Sequence, residues 1–219
     1  MTPPAPRKAV VFDLDGTLLD SLGLVLAAIT HAVAPFGGKP TREIFANLGG
    51  PPERFMLDLV GDARHLPEAL RRMGDFHSEH EGLIAPYAGA LDLLATLRER
   101  GVAAAVWTGR DRKSAEHLLR SRGLADAMHA VVCGDDFTSH KPDPEGLRHI
   151  LEGLSVRPEE ALLVGDADVD VLGGRAGGVD TVLIRHERRV AAEVGELAWR
   201  TVATPAEAYA LVRGAAPIR

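Results

Sequence analysis

The chain has 219 residues, 46% of them hydrophobic and 26% charged, with a formal net charge of −6. Such a composition belongs to a soluble globular protein with room for one large domain, or a core and a small accessory one. The acidic balance argues against nucleic acid or an anionic membrane as a partner, yet leaves room for an anionic substrate at a local cluster of cations. The one cysteine, Cys133, excludes an internal disulfide, and no zinc-type Cys/His spacing exists. The Pro-rich start, Met1 to Lys8, offers no signal segment, and no apolar run is long enough to cross a bilayer, so a cytoplasmic location is expected.

In chain order, Ala9-Val10-Val11-Phe12 is short, β-branched and aromatic, and it reads as a buried strand. Asp13 and Asp15 follow at its C-terminal end, where two close carboxylates raise a pKa or recruit a cation. From Asp20-Ser21 the period becomes helical through Leu22, Leu26, Ile29 and Val33, with Asp20 or Ser21 available as N-cap and Gly37-Gly38 as a stop. Gly49-Gly50-Pro51-Pro52 breaks the chain before a short helix carrying Phe55, Leu59 and Val60, and a further helix is predicted over 67–82. No strand pattern falls between 18 and 85, so this block reads as an all-helical insert. Beyond it, helices over 88–100, 112–122, 144–154, 169–176 and 205–212 alternate with strands over 102–107, 130–133, 161–164 and 181–184. Repeated βα units imply an α/β fold, a doubly wound, mostly parallel Rossmann-like sheet covered on both faces. The expected organisation is a discontinuous core, 1–17 and 86–219, interrupted by a helical cap over 18–85.

Four loops then fall at the same predicted sheet edge, where open α/β folds bind their ligands. They are Asp13 to Thr17, Thr108-Gly109-Arg110-Asp111, Ser139-His140-Lys141-Pro142 and Gly165-Asp166-Ala167-Asp168-Val169-Asp170. Each has a bland reading: an Asp-Gly turn, a helix cap, a surface lysine, an acidic loop. Together they supply an acidic pair, a hydroxyl with free amides that suit an anion, an ammonium for an oxyanion and an acidic cluster. The Asp-x-Asp-x-Asp run is no EF-hand, because that loop needs Gly and Glu where Val171 and Gly177 stand. A carboxylate-and-water Mg²⁺ site suits it better.

The order DxDGT, Thr-Gly, Lys-Pro and GDxxxD resembles the signature of the haloacid dehalogenase superfamily. Phe12 to Ser21 is most similar to its phosphoglycolate-phosphatase-type branch, and the likeness runs from Arg7 to about Val212. The resemblance implies a phosphatase acting on a small phosphorylated metabolite through an aspartyl-phosphate, with phosphoglycolate the first substrate to test and sugar phosphates next. It implies Asp13 as nucleophile and Asp15 as general acid/base, roles that composition alone does not separate. Thr108, Gly109 and Lys141 would bind the phosphoryl group. Mg²⁺ would be held by Asp13, the backbone carbonyl of Asp15 and Asp166, with Asp170 acting through water or Lys141; Asp168 is given a less direct part.

The cap's substrate-facing candidates are Asn47, Gly49 and Gly50, and less directly Arg42 and Arg54, whose first reading is ordinary solvated helix charge. His77 and His80 also read as a solvated helix face rather than a metal site. A phosphosugar mutase of the same superfamily is the alternative, although Thr17 after DxDG leans toward phosphatases. A dehalogenase is disfavoured because it needs neither Asp15 nor a metal. A phosphorylatable aspartate switch is the remote non-enzymatic alternative, and the expected state is monomer or homodimer.

Overall fold

The computed structural model describes residues 7–47 and 52–215. Along the chain come β1 (Ala9–Phe12), β2 (Leu19–Asp20), α1 (Leu22–Val33), α2 (Glu53–Val60), α3 (Leu66–His80), β3 (Ala85–Pro86), α4 (Ala90–Glu99) and β4 (Ala103–Trp107). Then follow α5 (Arg112–Ser121), β5 (Met128–Val132), α6 (Glu145–Leu154), β6 (Ala161–Gly165), α7 (Asp168–Gly177), β7 (Asp180–Ile184), α8 (Ala192–Leu197), β8 (Arg200–Val202) and α9 (Pro205–Ala215). Six strands form one sheet in the order β5-β4-β1-β6-β7-β8, and every neighbouring pair in it is parallel. The doubly wound α/β expectation is met.

All four β1 residues are buried because helices cover both faces of the sheet. Strand alternation divides them. Val10 and Phe12 pack with Leu93 and Leu97 of α4, Leu118 of α5 and Tyr209 of α9, whereas Val11 joins Ala105, Trp107 and Leu163 against Leu147 and Ile150 of α6. β1 is central, with β4 on one side and β6 on the other. The chain winds outward through β4 and β5, then returns across β1 to start β6. The crevice left by that reversal opens beside the C-terminal end of β1, which is where Asp13 begins its loop.

α1, α2 and α3 keep an apolar cluster of their own, built from Ile29, Ala32, Val33, Met56, Val60 and Ala69. The expectation of no strand between 18 and 85 is corrected here. Leu19 and Asp20 pair antiparallel with Pro86 and Ala85, a ribbon too short to leave a periodic signature. Leu18, Leu19 and Ile84 pack into the main core rather than with the helices. Edge strand β8 and helix α8 also lack a sequence signal. Arg200 and Thr201 are exposed, which suits an edge and hides the strand from any search for apolar runs. Among the described residues no helix is long and apolar enough to cross a membrane.

Two contacts link distant segments to the loop after β1 and to the start of β6. The fully buried Tyr209 donates its hydroxyl to the Thr17 carbonyl at 2.6 Å. Removing that donor strands a buried acceptor, so Tyr209→Phe is expected to cost about 1–3 kcal/mol in a denaturant titration. Glu160, just before β6, ion-pairs with Arg157 at 3.1 Å and Lys8 at 2.8 Å. Those partners, Arg157 foremost, pull its carboxyl from 4.5 down to about 2. A depressed folded-state pKa stabilises fully above the unfolded value and is lost as pH falls through the folded one. The urea midpoint of Glu160→Gln should therefore lie below wild type near neutral pH, and the gap should close as pH falls from 4.5 toward about 2.

Candidate active site

Strand alternation continues past β1 and produces the acidic pair. Leu14 is wholly buried, so its neighbours Asp13 and Asp15 both turn to the cavity side. The loop closes tightly, with the Leu18 and Leu19 amides donating to the Leu14 carbonyl at 3.0 and 2.9 Å. Gly16 sits at φ +73°, and a Cβ there would lie 2.5 Å from Asp166 Oδ2. Glycine is required on both counts, for its backbone and for the approach of the β6 loop.

Lys141 comes in from the loop before α6 with its side chain only 2% exposed. Its ammonium donates to Asp13 Oδ1 at 2.6 Å and Asp170 Oδ1 at 2.7 Å, and lies 4.9 Å from the centre of the Trp107 ring. Burial by itself would lower its pKa, but the two carboxylates raise it above the ordinary lysine value. Asp170, in the first turn of α7, accepts the Ala167 amide at 3.0 Å with its other oxygen. The expected link between Asp170 and Lys141 is thus direct.

One ammonium does not balance the acidic groups around it. Asp13 is pushed up to about 7, first by burial and then by Asp170 and Asp15, against the pull of Lys141. Asp166 is raised well above the carboxylate range by burial, Asp13, Asp170 and Asp15. Among the described residues nothing donates to either Asp166 oxygen or to Asp13 Oδ2. Oxygen atoms that are buried, crowded and without donors suit a hard cation. Among the described residues no three His, Cys, Asp or Glu side chains form a ready-made cage. The set does fit Mg²⁺, which takes one or two carboxylates and keeps several waters. Asp13, Asp166 and the Asp15 carbonyl are the groups that could hold it.

Asp15 has the opposite environment. Arg110 grips it through two bonds, Nε to Oδ2 at 2.6 Å and a terminal nitrogen to Oδ1 at 2.7 Å. Ser21 Oγ adds a third donor to Oδ1 at 2.5 Å. Burial would raise this carboxyl, yet Arg110, with Ser21 and His77, holds it below the usual range. The two aspartates are therefore driven apart although one residue separates them. Of the two caps available for α1, Asp20 or Ser21, Ser21 takes the N-cap position, but its hydroxyl goes to Asp15 and makes no cap bond.

Thr108 and Gly109 line the same cavity at the end of β4. The Thr108 hydroxyl accepts the Arg110 amide at 3.2 Å, and Asp111 caps α5 by accepting the Ser114 amide at 2.9 Å. Asp13, Asp15, Thr108, Gly109, Lys141, Asp166 and Asp170 are thus gathered at one sheet edge. Asp168 stands apart, paired with Arg188 at 2.6 Å. Arg188 also donates to the Asp166 carbonyl at 2.8 Å, and His186 Nε2 to the Gly16 carbonyl at 2.7 Å, so the loop after β7 braces both acidic loops.

The cavity measures about 560 Å³, and α1, α2 and α3 supply much of its apolar wall through Leu22, Ile29, Phe55 and Met73. Arg42 is absent from that wall; it is exposed and pairs with Glu187 at 2.9 Å, so its solvated reading holds and its candidacy for substrate contact does not. Gly49 and Gly50 lie outside the described residues, and so do the side chains of Asn47 and Arg54. His77 is corrected in the other direction. It lines the cavity and accepts from Arg110 at 3.2 Å, while His80 stacks on Phe76 with ring centres 4.2 Å apart. Sequence reasoning missed His77, Ser21 and above all Arg110, whose partner lies 95 positions away. A basic residue directly after Thr108-Gly109 was the available signal.

A family model described as haloacid dehalogenase-like hydrolase matches residues 10–184. A phosphoglycolate phosphatase of Rhodospirillum rubrum is 34% identical over 210 residues, covering 87% of this chain and 86% of that protein. The pyrophosphatase PpaX of Halalkalibacterium halodurans is 32% identical over 189 residues, covering 83% and 85%. Among solved structures, a hydrolase from Pseudomonas syringae superposes with a TM-score of 0.81 at 22% identity, covering 96% of this chain and all of that one, a likeness of fold. With the family match spanning most of the sheet and relatives above 30% identity along most of its length, the chain belongs to the haloacid dehalogenase-like hydrolases.

Proposed function

We propose that this hydrolase is a Mg²⁺-dependent phosphatase that releases phosphate from a small phosphomonoester through an aspartyl-phosphate on Asp13. The observation that carries the reading is the opposed environment of two neighbouring carboxylates. Asp13 keeps one oxygen without a donor beside a buried ammonium, while Asp15 takes three donors on the other side of Leu14. Asp13 attacks phosphorus as the carboxylate that a bound cation would keep ionised. Asp15, which must first take up a proton from solvent as its Arg110 contact loosens, passes that proton to the leaving oxygen as its bond to phosphorus breaks. Water then attacks the same phosphorus, giving a proton to Asp15 and freeing the Asp13 carboxylate. Thr108, the Gly109 amide and Lys141 bind the phosphoryl oxygens. Held by Asp13, Asp166 and the Asp15 carbonyl, Mg²⁺ would offset repulsion between the anionic nucleophile and the anionic phosphate.

The separate apolar cluster of α1–α3 supports reading residues 18–85 as a cap over the core of 1–17 and 86–219. The β2–β3 ribbon is its base, and closure excludes competing water from the cavity. Phosphoglycolate is the first substrate to test, in keeping with the relative from Rhodospirillum rubrum.

A Mg²⁺-supplemented screen of small phosphoesters tests this directly. Asp13→Asn keeps the side chain's size but not its charge, and should lower phosphate release by about three orders of magnitude or more. Undiminished turnover in that variant would refute the mechanism. Gly16→Ala forces a left-handed backbone to carry a Cβ 2.5 Å from Asp166 Oδ2. Displacement of that carboxylate should cost about 10²-fold in rate and raise the Mg²⁺ concentration needed for half-maximal turnover.

A further inference from the structure

We propose that Arg110 is the residue that selects the leaving group, and that the preferred substrates are phosphoesters or anhydrides whose leaving group is itself anionic. The proposal rests on the phosphatase reading above and extends it from reaction to substrate class.

The argument begins with the position of the guanidinium. The Arg110 amide bonds the Thr108 hydroxyl, but its guanidinium is not bonded to Thr108, Gly109 or Lys141, the groups assigned to the phosphoryl oxygens. It lies on Asp15, the carboxylate that must reach the leaving-group oxygen, and both side chains line the cavity. A group bonded to the proton donor of the leaving oxygen is placed beside the leaving group.

Next comes the occupancy of Asp15. Arg110 covers both oxygens, and Ser21 occupies Oδ1 a second time. In this arrangement both Asp15 oxygens already hold a guanidinium bond, so aligning either one on a leaving group competes with Arg110. Releasing a buried bidentate guanidinium into an apolar cavity is unfavourable unless another anion takes the vacated donors. An anionic leaving group provides it. The guanidinium exchanges one carboxylate for another, and Asp15 is freed at the moment the substrate is seated.

The surroundings leave few other receivers for such an anion. Among the described residues lining the cavity, Arg110 is the one lysine or arginine. Of the exposed acidic groups that also line the cavity, Asp111 and Asp135 are spent on the backbone amides of Ser114 and Arg112, and Glu53 lies at the start of α2. The third arm of the guanidinium is anchored on both sides. One terminal nitrogen donates to Ser114 Oγ at 3.1 Å and to His77 Nε2 at 3.2 Å, so α5 and α3 hold the fork in place while its other donors exchange partners. His77 also connects α3 to the event, which would tie closure of the helical segment to recognition of the anion.

The experiment compares 2-phosphoglycolate with ethyl phosphate, which has the same two-carbon chain without the carboxylate. Wild type with Mg²⁺ should favour 2-phosphoglycolate in kcat/KM by roughly tenfold or more, the size expected of a charge-assisted hydrogen bond. Arg110→Gln should bring that ratio to within about threefold of unity, with KM for 2-phosphoglycolate rising, and Arg110→Lys should restore part of it. A merely structural role for Arg110 would lower both substrates alike and leave the ratio in place. A wild type that hydrolyses ethyl phosphate as well as 2-phosphoglycolate would overturn the proposal without any variant, as would an undiminished ratio in Arg110→Gln. Failure to release phosphate from any ester would overturn the phosphatase reading itself, and is thereby distinguished from failure of Arg110's assignment.

Discussion

The buried ammonium of Lys141, shared between Asp13 and Asp170, is the contact on which the site depends. Four carboxylates converge at the edge of one parallel sheet, and their mutual repulsion there is opposed by little water. Lys141 neutralises part of that charge, at 2.6 Å from Asp13 and 2.7 Å from Asp170. It therefore sets the spacing of the β1, α6 and α7 segments around the cavity. Breaking a buried pair by removing one partner leaves an uncompensated charge, so this arrangement is strongly coupled. The shortfall that remains falls on Asp166 and on the free oxygen of Asp13. That is why the same interaction that stabilises the loops also leaves a place for a divalent cation.

A second cation creates the asymmetry. Lys141 and Arg110 reach the acidic pair from different loops, and each bonds one aspartate. The lysine is a compact charge that leaves one oxygen of Asp13 open. The arginine's planar fork bonds both oxygens of Asp15. Residues two apart in one loop thus acquire different pKa values and different accessibility without any difference in residue type. The division rests on the shapes of the two cationic groups and on which helix or loop delivers each.

The fold explains how so few residues suffice. Every functional loop follows a strand of the same parallel sheet, so the backbone brings them to one edge with no special device. What needs device is close approach. Gly16 lets the β6 loop come against the β1 loop, and the His186–Gly16 and Arg188–Asp166 bonds brace both loops from the far side. Tyr209, from the last helix, holds the Thr17 carbonyl from below. The active loops are fixed by contacts to their backbones, which leaves their side chains for chemistry.

The sequence by itself determined the alternation of strands and helices, the helical stretch after β2, and the meeting of seven polar residues, from Asp13 to Asp170, at one sheet edge. These were legible because they depend on local patterns: period-2 and period-3.6 burial, and polar residues at strand ends that a parallel sheet must bring together. Tertiary structure alone decided the partners. Nothing near Arg110 in sequence marks it for Asp15, nothing near Ser21 turns it from a helix cap into a donor, and the surface pattern of α3 hides the fact that His77 lines the cavity. The short β2–β3 ribbon and edge strand β8 escaped for a related reason, since two or three residues carry no period. Local patterns record which face of an element is buried; which charged group answers another across the fold is set by packing, and only the folded chain contains that information.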